Sequence, residues 1–380
     1  MKRSGKADLP LHYGKVPSWL YQRMSSMGLA ITESIILNYG SSEFIRRIGD
    51  PFWFQSLGAA LGMDWHSSGI TTSVMGSLKQ AVNPHSKELG IYICGGRGKH
   101  SRKTPDELLS ISNATGLQGN ELIRSSKLTA KIDNTAIQDG FQLYLHSFIL
   151  AKDGEWAVVQ QGMNGSERLA RRYHWHSKNI KSFVEEPHTC VIGENQGEIL
   201  NLTDKNAGSA HTGILNIASE HPEQMIREIQ KLIMPGNHDV QSKDVDLKRL
   251  GAILALAYEN QFQNFEEFLL LKGLGPKTLR SMTLVSEVIH GTPSRFKDPA
   301  RFSFAHGGKD GHPFPVQTDV YDESLMFLKN AIHSAKIGHY DKQRAIKKIT
   351  GLLSKLENDF IPDPNHFDKY IAKEIRESTG

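Results

Sequence analysis

One stretch decides the fold class of this chain: Gln142-Leu-Tyr-Leu-His-Ser-Phe-Ile-Leu-Ala-Lys-Asp-Gly-Glu-Trp-Ala-Val-Val-Gln-Gln-Gly-Met163. Apolar, aromatic and β-branched residues dominate two runs, over 142–150 and 155–163, and such runs predict strands. The Lys152-Asp153-Gly154 segment between them is typical of a hairpin turn. We therefore predict an antiparallel pair of strands near the middle of the chain.

The residues before this hairpin predict helices and one further strand. Over residues 17–39 the apolar residues recur at helical spacing. Residues 89–94 have the pattern of a buried strand that leads into a Gly-Gly-Arg-Gly loop. Thr104-Pro-Asp-Glu107 matches a capping box, which predicts a short helix up to about residue 113. We predict a mixed α/β domain over residues 1–210.

The residues after about 210 predict helices without strands. Helical spacing covers 221–233, 243–259, 264–272, 276–290, 320–336 and 341–357. The predicted fold class is therefore α+β. A helical domain over 211–380 follows the α/β domain, and it contains a helix-hairpin-helix motif at 264–290.

Composition places the chain among ordinary globular proteins. Its 380 residues are 38% hydrophobic and carry 45 Lys and Arg against 41 Asp and Glu, a length that fits about two to three domains. The two cysteines, Cys94 and Cys190, are too few for a disulfide framework or a thiolate metal cage. Neither an apolar signal core nor a membrane-length apolar run is present in the sequence. We expect a cytoplasmic protein without a membrane partner.

The segment at 264–280 resembles a helix-hairpin-helix motif. Two short helices are joined by Gly273-Leu274-Gly275, and Pro276 suits the first turn of the second helix. Glycine permits a tight backbone path, and the unpaired amides at a helix N-terminus can hold a phosphate. We expect this motif to bind nucleic-acid backbone without reading bases, with DNA expected over RNA. The residues assigned to this role are Gly273, Gly275, Lys277, Thr278 and Arg280.

Basic residues are concentrated in three stretches of the sequence. Residues 271–310 hold seven basic residues against three acidic ones, and residues 91–104 hold four basic residues and no acid. A third basic patch covers residues 168–178. Local positive charge of this kind suits a polyanion. We expect four further side chains to neutralise phosphate: Arg102, Lys103, Lys131 and Arg172.

Two carboxylates suggest chemistry on that phosphate. Asp133 and Asp139 lie just before the first hairpin strand and Gln160 lies on the second strand, so the three are expected to converge at one end of the sheet. Hard carboxylates beside basic residues suit metal-dependent phosphodiester cleavage. We predict that Asp133 and Asp139 bind Mg²⁺ or Mn²⁺ and that His146 and Gln160 assist. Restriction-type nucleases carry Glu-x-Lys on the second strand, which Gln160-Gln161-Gly162 lacks.

Three alternatives stay open. A metal-free mechanism would use His146 or His174 as general acid and base. A DNA glycosylase or lyase would use Lys277 as the nucleophile, with Asp298 stabilising the sugar cation. A non-catalytic DNA-binding protein is the alternative from another class. The leading hypothesis is a metal-dependent nuclease in DNA repair or replication, with the oligomeric state open.

Four strings in the sequence are distinctive. They resemble the domain-of-unknown-function family 763, and the likeness spans the chain from Leu9 to about Lys336. This resemblance implies no particular activity, because no reaction is established for that family. The strings are Asp50-Pro-Phe-Trp-Phe-Gln55, Asp64-Trp-His-Ser-Ser-Gly69, Trp156-Ala-Val-Val-Gln-Gln-Gly-Met163 and Asp298-Pro-Ala-Arg-Phe-Ser-Phe-Ala-His-Gly-Gly-Lys-Asp-Gly311.

Overall fold

The computed structural model describes residues 9–10, 16–63, 68–165, 169–232, 246–301 and 318–359. The helices are α1 Ser18–Tyr39, α2 Ser41–Ile48, α3 Pro51–Ala60, α4 Gly69–Val82, α5 Ser86–Leu89, α6 Thr104–Thr115, α7 Gly119–Lys131, α8 Gly208–Ser219, α9 Pro222–Leu232, α10 Leu247–Asn260, α11 Phe265–Leu269, α12 Pro276–His290, α13 Thr318–Ser334 and α14 His339–Asp359. The strands are β1 Leu9–Pro10, β2 Ile91–Arg97, β3 Ile137–Gln138, β4 Gln142–Ala151, β5 Trp156–Asn164, β6 Leu169–His176, β7 Cys190–Ile192, β8 Glu198–Asn201, β9 Phe296–Lys297 and β10 Ala300–Arg301. The predicted α+β class is confirmed, but the expectation of helices without strands after residue 210 is wrong, because β9 and β10 lie there and pair with β8 and β7.

The main sheet has the strand order β10-β7-β6-β5-β4-β2, and β1 pairs with β6. The predicted hairpin is its centre: β4 and β5 pair antiparallel, and β2 and β6 extend the antiparallel pairing on either side. β10 and β7 pair in parallel at one end. A smaller sheet has the order β3-β8-β9.

Both faces of the main sheet are covered, because its central strands alternate between two hydrophobic cores. On β4, Phe148 and Leu150 belong to the core on the first face, whereas Ile149 and Ala151 belong to the core on the second face. β2 and β5 alternate in the same way. Successive side chains of a strand point to opposite faces, so a strand that is apolar at every position needs two covering layers.

The helices divide between these two faces. Residues of α6 to α12 contribute to the first core, and residues of α1 to α4, α13 and α14 contribute to the second. Helices from the 211–380 range therefore lie on both faces of the sheet. The domain boundary near residue 210 stays a prediction.

Helix α6 begins where the sequence predicts, but without the capping box. The Thr104 hydroxyl donates to the backbone oxygen of Ser101 (2.8 Å). The Glu107 carboxylate instead accepts from Lys79 Nζ (2.8 Å) and from the backbone amide of Gly95 (2.6 Å). A buried amide and a cation outside the helix are thus the partners of this acid.

Within the residues that the structure describes, no helix is both long enough and apolar enough to cross a bilayer.

Gly95 gives a test of how β2 packs on β4. Its φ is +79°, and a Cβ there would lie 2.2 Å from the backbone oxygen of His146. We expect Gly95→Ala to lower the free energy of unfolding by at least about 2 kcal/mol, from left-handed backbone strain and the overlap together. Gly98→Ala is the matched control, because Gly98 has φ +58° with nothing within 4 Å of its Cβ position. Urea denaturation measures both, and equal losses would contradict the packing argument.

Candidate functional site

The catalytic residues expected from the sequence lie on the first face of the sheet. His146, Gln160 and Tyr173 are neighbours across β4, β5 and β6. The residues preceding β4 place Asp133 and Asp139 against the same face. These side chains form two hydrogen-bonded networks.

Asp133 is the centre of the first network. It lies in a π-helical turn, Ile132–Ala136, that follows α7, and it is fully buried. Its carboxylate accepts from Gln160 Nε2 (2.5 Å), Trp175 Nε1 (2.9 Å) and His188 Nε2 (2.5 Å). Burial raises the pKa of Asp133, and His188 and Trp175 oppose that rise. Three side chains from outside its own helix thus hold this carboxylate.

The first network continues from Gln160 to Ser126. Gln160 Oε1 lies 2.8 Å from His146 Nδ1, and Ser126 Oγ lies 2.9 Å from His146 Nε2. Because an amide oxygen only accepts, Nδ1 carries the proton and the Ser126 hydroxyl donates to Nε2. Burial lowers the pKa of His146 to about 4. The structure therefore joins Asp133, Gln160 and His146, with a neutral imidazole.

Asp139 belongs to the second network. It is 1% exposed and accepts from the Tyr173 hydroxyl (2.6 Å) and from Arg171 (2.8 Å). Arg171 also makes two bonds to Asp298, of 3.0 and 2.9 Å. Burial raises the pKa of Asp139, and the charge of Arg171 opposes it. One buried cation thus joins two buried carboxylates.

The two expected metal ligands therefore have separate partners. Asp133 bonds to Gln160 and His188, whereas Asp139 bonds to Arg171 and Tyr173. Among the described residues, no group of three or more His, Cys, Asp and Glu side chains is arranged to hold a metal ion. Binding of Mg²⁺ or Mn²⁺ by this pair stays a prediction, and it would require both carboxylates to change partners.

Arg171 and Arg172 are consecutive on β6 and lie on opposite faces. Arg172 is fully buried on the second face, where it donates to Gln55 Oε1 (2.8 Å) and lies 4.8 Å from the centre of the Phe54 ring. Burial lowers the pKa of Arg172 to about 9. No carboxylate in the described ranges pairs with it. In this structure Arg172 does not reach the surface where a phosphate would bind.

The other residues expected to neutralise phosphate differ in exposure. Arg102 and Lys103 are exposed in a 3₁₀ segment, Gly98–Lys103, that follows β2. Lys131 is partly buried, its ammonium group donates to the backbone oxygen of Leu274, and burial lowers its pKa. Lys131 therefore supports the turn between α11 and α12.

That turn is fixed to the rest of the protein through its carbonyl groups. Lys131 donates to the backbone oxygen of Leu274, and Gln138 Nε2 donates to the backbone oxygen of Pro276 (2.8 Å). The Arg249 guanidinium lies 3.4 Å from the backbone oxygen of Gly273. Gly273 has φ +90°, which favours glycine because other residues are strained there. The contacts of Gln138 and Arg249 were not expected from the sequence, since no local pattern links these residues to a turn that is distant in sequence.

The other side of the turn is open. Lys277 and Arg280 are exposed, and no carboxylate of the described chain pairs with either. No side chain caps the N-terminus of α12, and the backbone amides of Lys277 and Thr278 have no acceptor among the described residues. The Thr278 side chain is buried. Two backbone amides without a described acceptor thus lie beside exposed basic side chains at the start of α12.

Substitution by Met is expected to have very different effects on the free energy of unfolding at Arg171 and at Arg172. Arg171→Met leaves two buried carboxylates without their cation, so we expect a loss of about 3–5 kcal/mol in unfolding free energy. Arg172→Met removes a buried cation that has no described carboxylate partner, so we expect a change below about 1 kcal/mol or a small gain. Guanidinium denaturation of both variants measures this. A large loss for Arg172→Met would reveal an anionic partner.

His146 gives an expected pH dependence. Its pKa is about 4 in the folded chain against 6.5 for a free histidine, so below pH 6.5 the unfolded chain binds a proton that the folded chain does not. Stability is therefore expected to fall between pH 6.5 and 4, by about 3 kcal/mol from this residue. His146→Gln should remove that part of the slope, whereas the exposed control His85→Gln should keep it. An unchanged slope in His146→Gln would contradict a neutral buried imidazole.

Comparisons with known proteins give a family and no activity. No curated protein and no solved structure matches the chain. A family model described as "Protein of unknown function (DUF763)" matches residues 5–316. The match includes the β-hairpin, the two buried networks and the α11–α12 turn. The chain therefore belongs to the DUF763 family, as the four distinctive strings of its sequence predicted.

Proposed function

We propose that this protein binds the phosphate backbone of nucleic acid, DNA in preference to RNA, through the turn between α11 and α12. The hairpin surface consists of the backbone amides of Lys277 and Thr278 and the side chains of Lys272, Lys277, Arg280 and Arg249. The observation that carries the proposal is the uncapped N-terminus of α12 within this cluster of exposed basic side chains.

Electrostatics favours an anion at this surface. The N-terminus of a helix carries a partial positive charge, and free amides there donate hydrogen bonds to a phosphate. The carbonyl oxygens of the turn, which would repel a phosphate, already accept from Lys131, Gln138 and Arg249. The amide side is thus left for an external acceptor.

The local sequence supports the same assignment. Gly273-Leu274-Gly275-Pro276 has the pattern of a helix-hairpin-helix turn, and α11 and α12 flank it. Backbone amides and lysine side chains contact phosphate oxygens and carry no base information. We therefore propose binding that depends little on nucleotide sequence and strongly on salt.

Catalysis is a separate question from binding. The nuclease hypothesis assigns metal binding to Asp133 and Asp139, which are buried and hydrogen-bonded. The lyase hypothesis pairs exposed Lys277 with Asp298, whose carboxylate is bound to Arg171. The contacts of these acids favour binding over either reaction. Incubating labelled oligonucleotides with Mg²⁺, Mn²⁺ or EDTA, with borohydride to trap a Schiff base, tests both reactions.

Substitution of Lys277 tests the binding proposal. We expect Lys277→Ala to weaken duplex DNA binding about 3- to 10-fold and to reduce the slope of log K against log salt by about 0.9, because one phosphate contact is lost. Fluorescence anisotropy across a KCl series measures both quantities, with single-stranded DNA and duplex RNA as comparison ligands.

The matched control is Lys87→Ala. Lys87 is exposed on α5, outside the hairpin surface, and has the same charge. Its substitution should leave the salt slope unchanged. Absence of binding by the unmodified protein at low salt, or equal effects of the two substitutions, would refute the hairpin surface as the binding site.

A further inference from the structure

A small pocket lies beside the hairpin surface. It is open to solvent, its cavity volume is about 30 Å³, and residues of β3, β8, α12 and the segment after α12 line it. The lining residues are Gln138, Leu200, Arg280, Leu284, Ser294 and Arg295. Gln138 also donates to the backbone oxygen of Pro276, so the pocket adjoins the first turn of α12.

Two exposed arginines, Arg280 and Arg295, face this pocket together. In the part of the chain that the structure describes, no carboxylate pairs with either of them. Like charges that line one small pocket repel each other, and a concave site concentrates their field on an incoming anion. An anion bound between them would remove that repulsion.

The remaining side-chain donors of the pocket, Gln138 Nε2 and the Ser294 hydroxyl, already have acceptors. Gln138 Nε2 donates to the backbone oxygens of Thr135 (3.2 Å) and Pro276 (2.8 Å). The Ser294 hydroxyl donates to Glu287, the acidic side chain nearest to the arginines along α12 (2.6 Å). The free donors therefore belong to the two guanidinium groups, and their planar geometry fits phosphate oxygens in pairs.

The position of the pocket relates it to the hairpin surface. Arg280 follows Lys277 by three residues, so it lies about one helical turn from the free amides of Lys277 and Thr278. A strand whose phosphate lies on those amides would bring its neighbouring phosphates close to the pocket, which adjoins the same turn.

We propose that the pocket binds a second phosphate group of the same nucleic-acid strand, held by Arg280 and Arg295. The proposal rests on the binding function proposed above and adds a subsite to it. Leu200 and Leu284 are the apolar residues of the pocket lining. The phosphate is either an internal diester or the monoester at a strand end.

Arg295→Ala is the principal test, because Arg295 lies outside the hairpin surface. We expect duplex binding to weaken about 5- to 10-fold and the salt slope to fall by about 0.9. Arg295→Lys keeps the charge but loses the paired geometry, so most of the loss in affinity should persist. The control is Lys205→Ala, an exposed lysine after β8 that does not line the pocket.

The outcomes separate this inference from the binding function. If Lys277→Ala weakens binding but Arg295→Ala behaves like Lys205→Ala, the pocket subsite is refuted and the hairpin surface stands. If nucleic acid does not bind at all, the binding function and the strand subsite fail together. Titration with inorganic phosphate then shows whether Arg295 still binds a phosphate. Such binding would leave a pocket that binds anions but has no role in holding a nucleic-acid strand.

Modified duplexes show whether the phosphate in the pocket is an internal diester or the monoester at a strand end. Duplexes with a 5′-phosphate or a 5′-hydroxyl end, and duplexes with a single internal methylphosphonate, are compared in the same assay. If the 5′-phosphate raises the affinity only when Arg295 is present, the pocket binds the monoester. If the methylphosphonate lowers the affinity only when Arg295 is present, the pocket binds the diester. Arg295-independent responses to both ligands would refute the subsite.

Discussion

The buried ion pairs of Arg171 with Asp139 and Asp298 are the constraint on which the arrangement of the sheet edge depends. They join β6, the segment before β4 and the segment between β9 and β10, which are far apart in sequence. Asp298 also accepts from the backbone amides of Gln196 (2.8 Å) and Ala300 (2.9 Å), next to the parallel pairing of β10 with β7. A buried cation is tolerated here because both carboxylates pair with it and accept its hydrogen bonds.

Much of the fold follows from local periodicity in the sequence. The predicted strands at 142–150 and 155–163 and the predicted helix at 276–290 agree closely with the structure. These segments have strong periodicity and clear turn residues, so their type is decided locally. Which face of the sheet a helix covers is decided by tertiary packing, so α13 and α14 were not expected beside α1 and α3.

The candidate site was less predictable than the fold. Arg171 and Arg172 are one basic dipeptide in the sequence, yet strand alternation places them in different environments. Asp133 and Gln160 were expected to converge and do so. Asp139 was expected to join them but pairs with Arg171, whose position is set by the register of β6. The contacts of Gln138 and Arg249 with the α11–α12 turn likewise arise from tertiary packing, which no local pattern encodes.

The anchoring of the α11–α12 turn has a consequence for association. Three donors from other parts of the protein fix its carbonyl groups, so the turn has one orientation before any ligand arrives. The conformational entropy of ordering the turn is then lost during folding and not during binding. A preorganised surface of this kind retains more of its contact energy as affinity. If the turn binds nucleic acid as proposed, that binding also depends on the integrity of the α/β scaffold, because Lys131 and Gln138 belong to the same segment as Asp133.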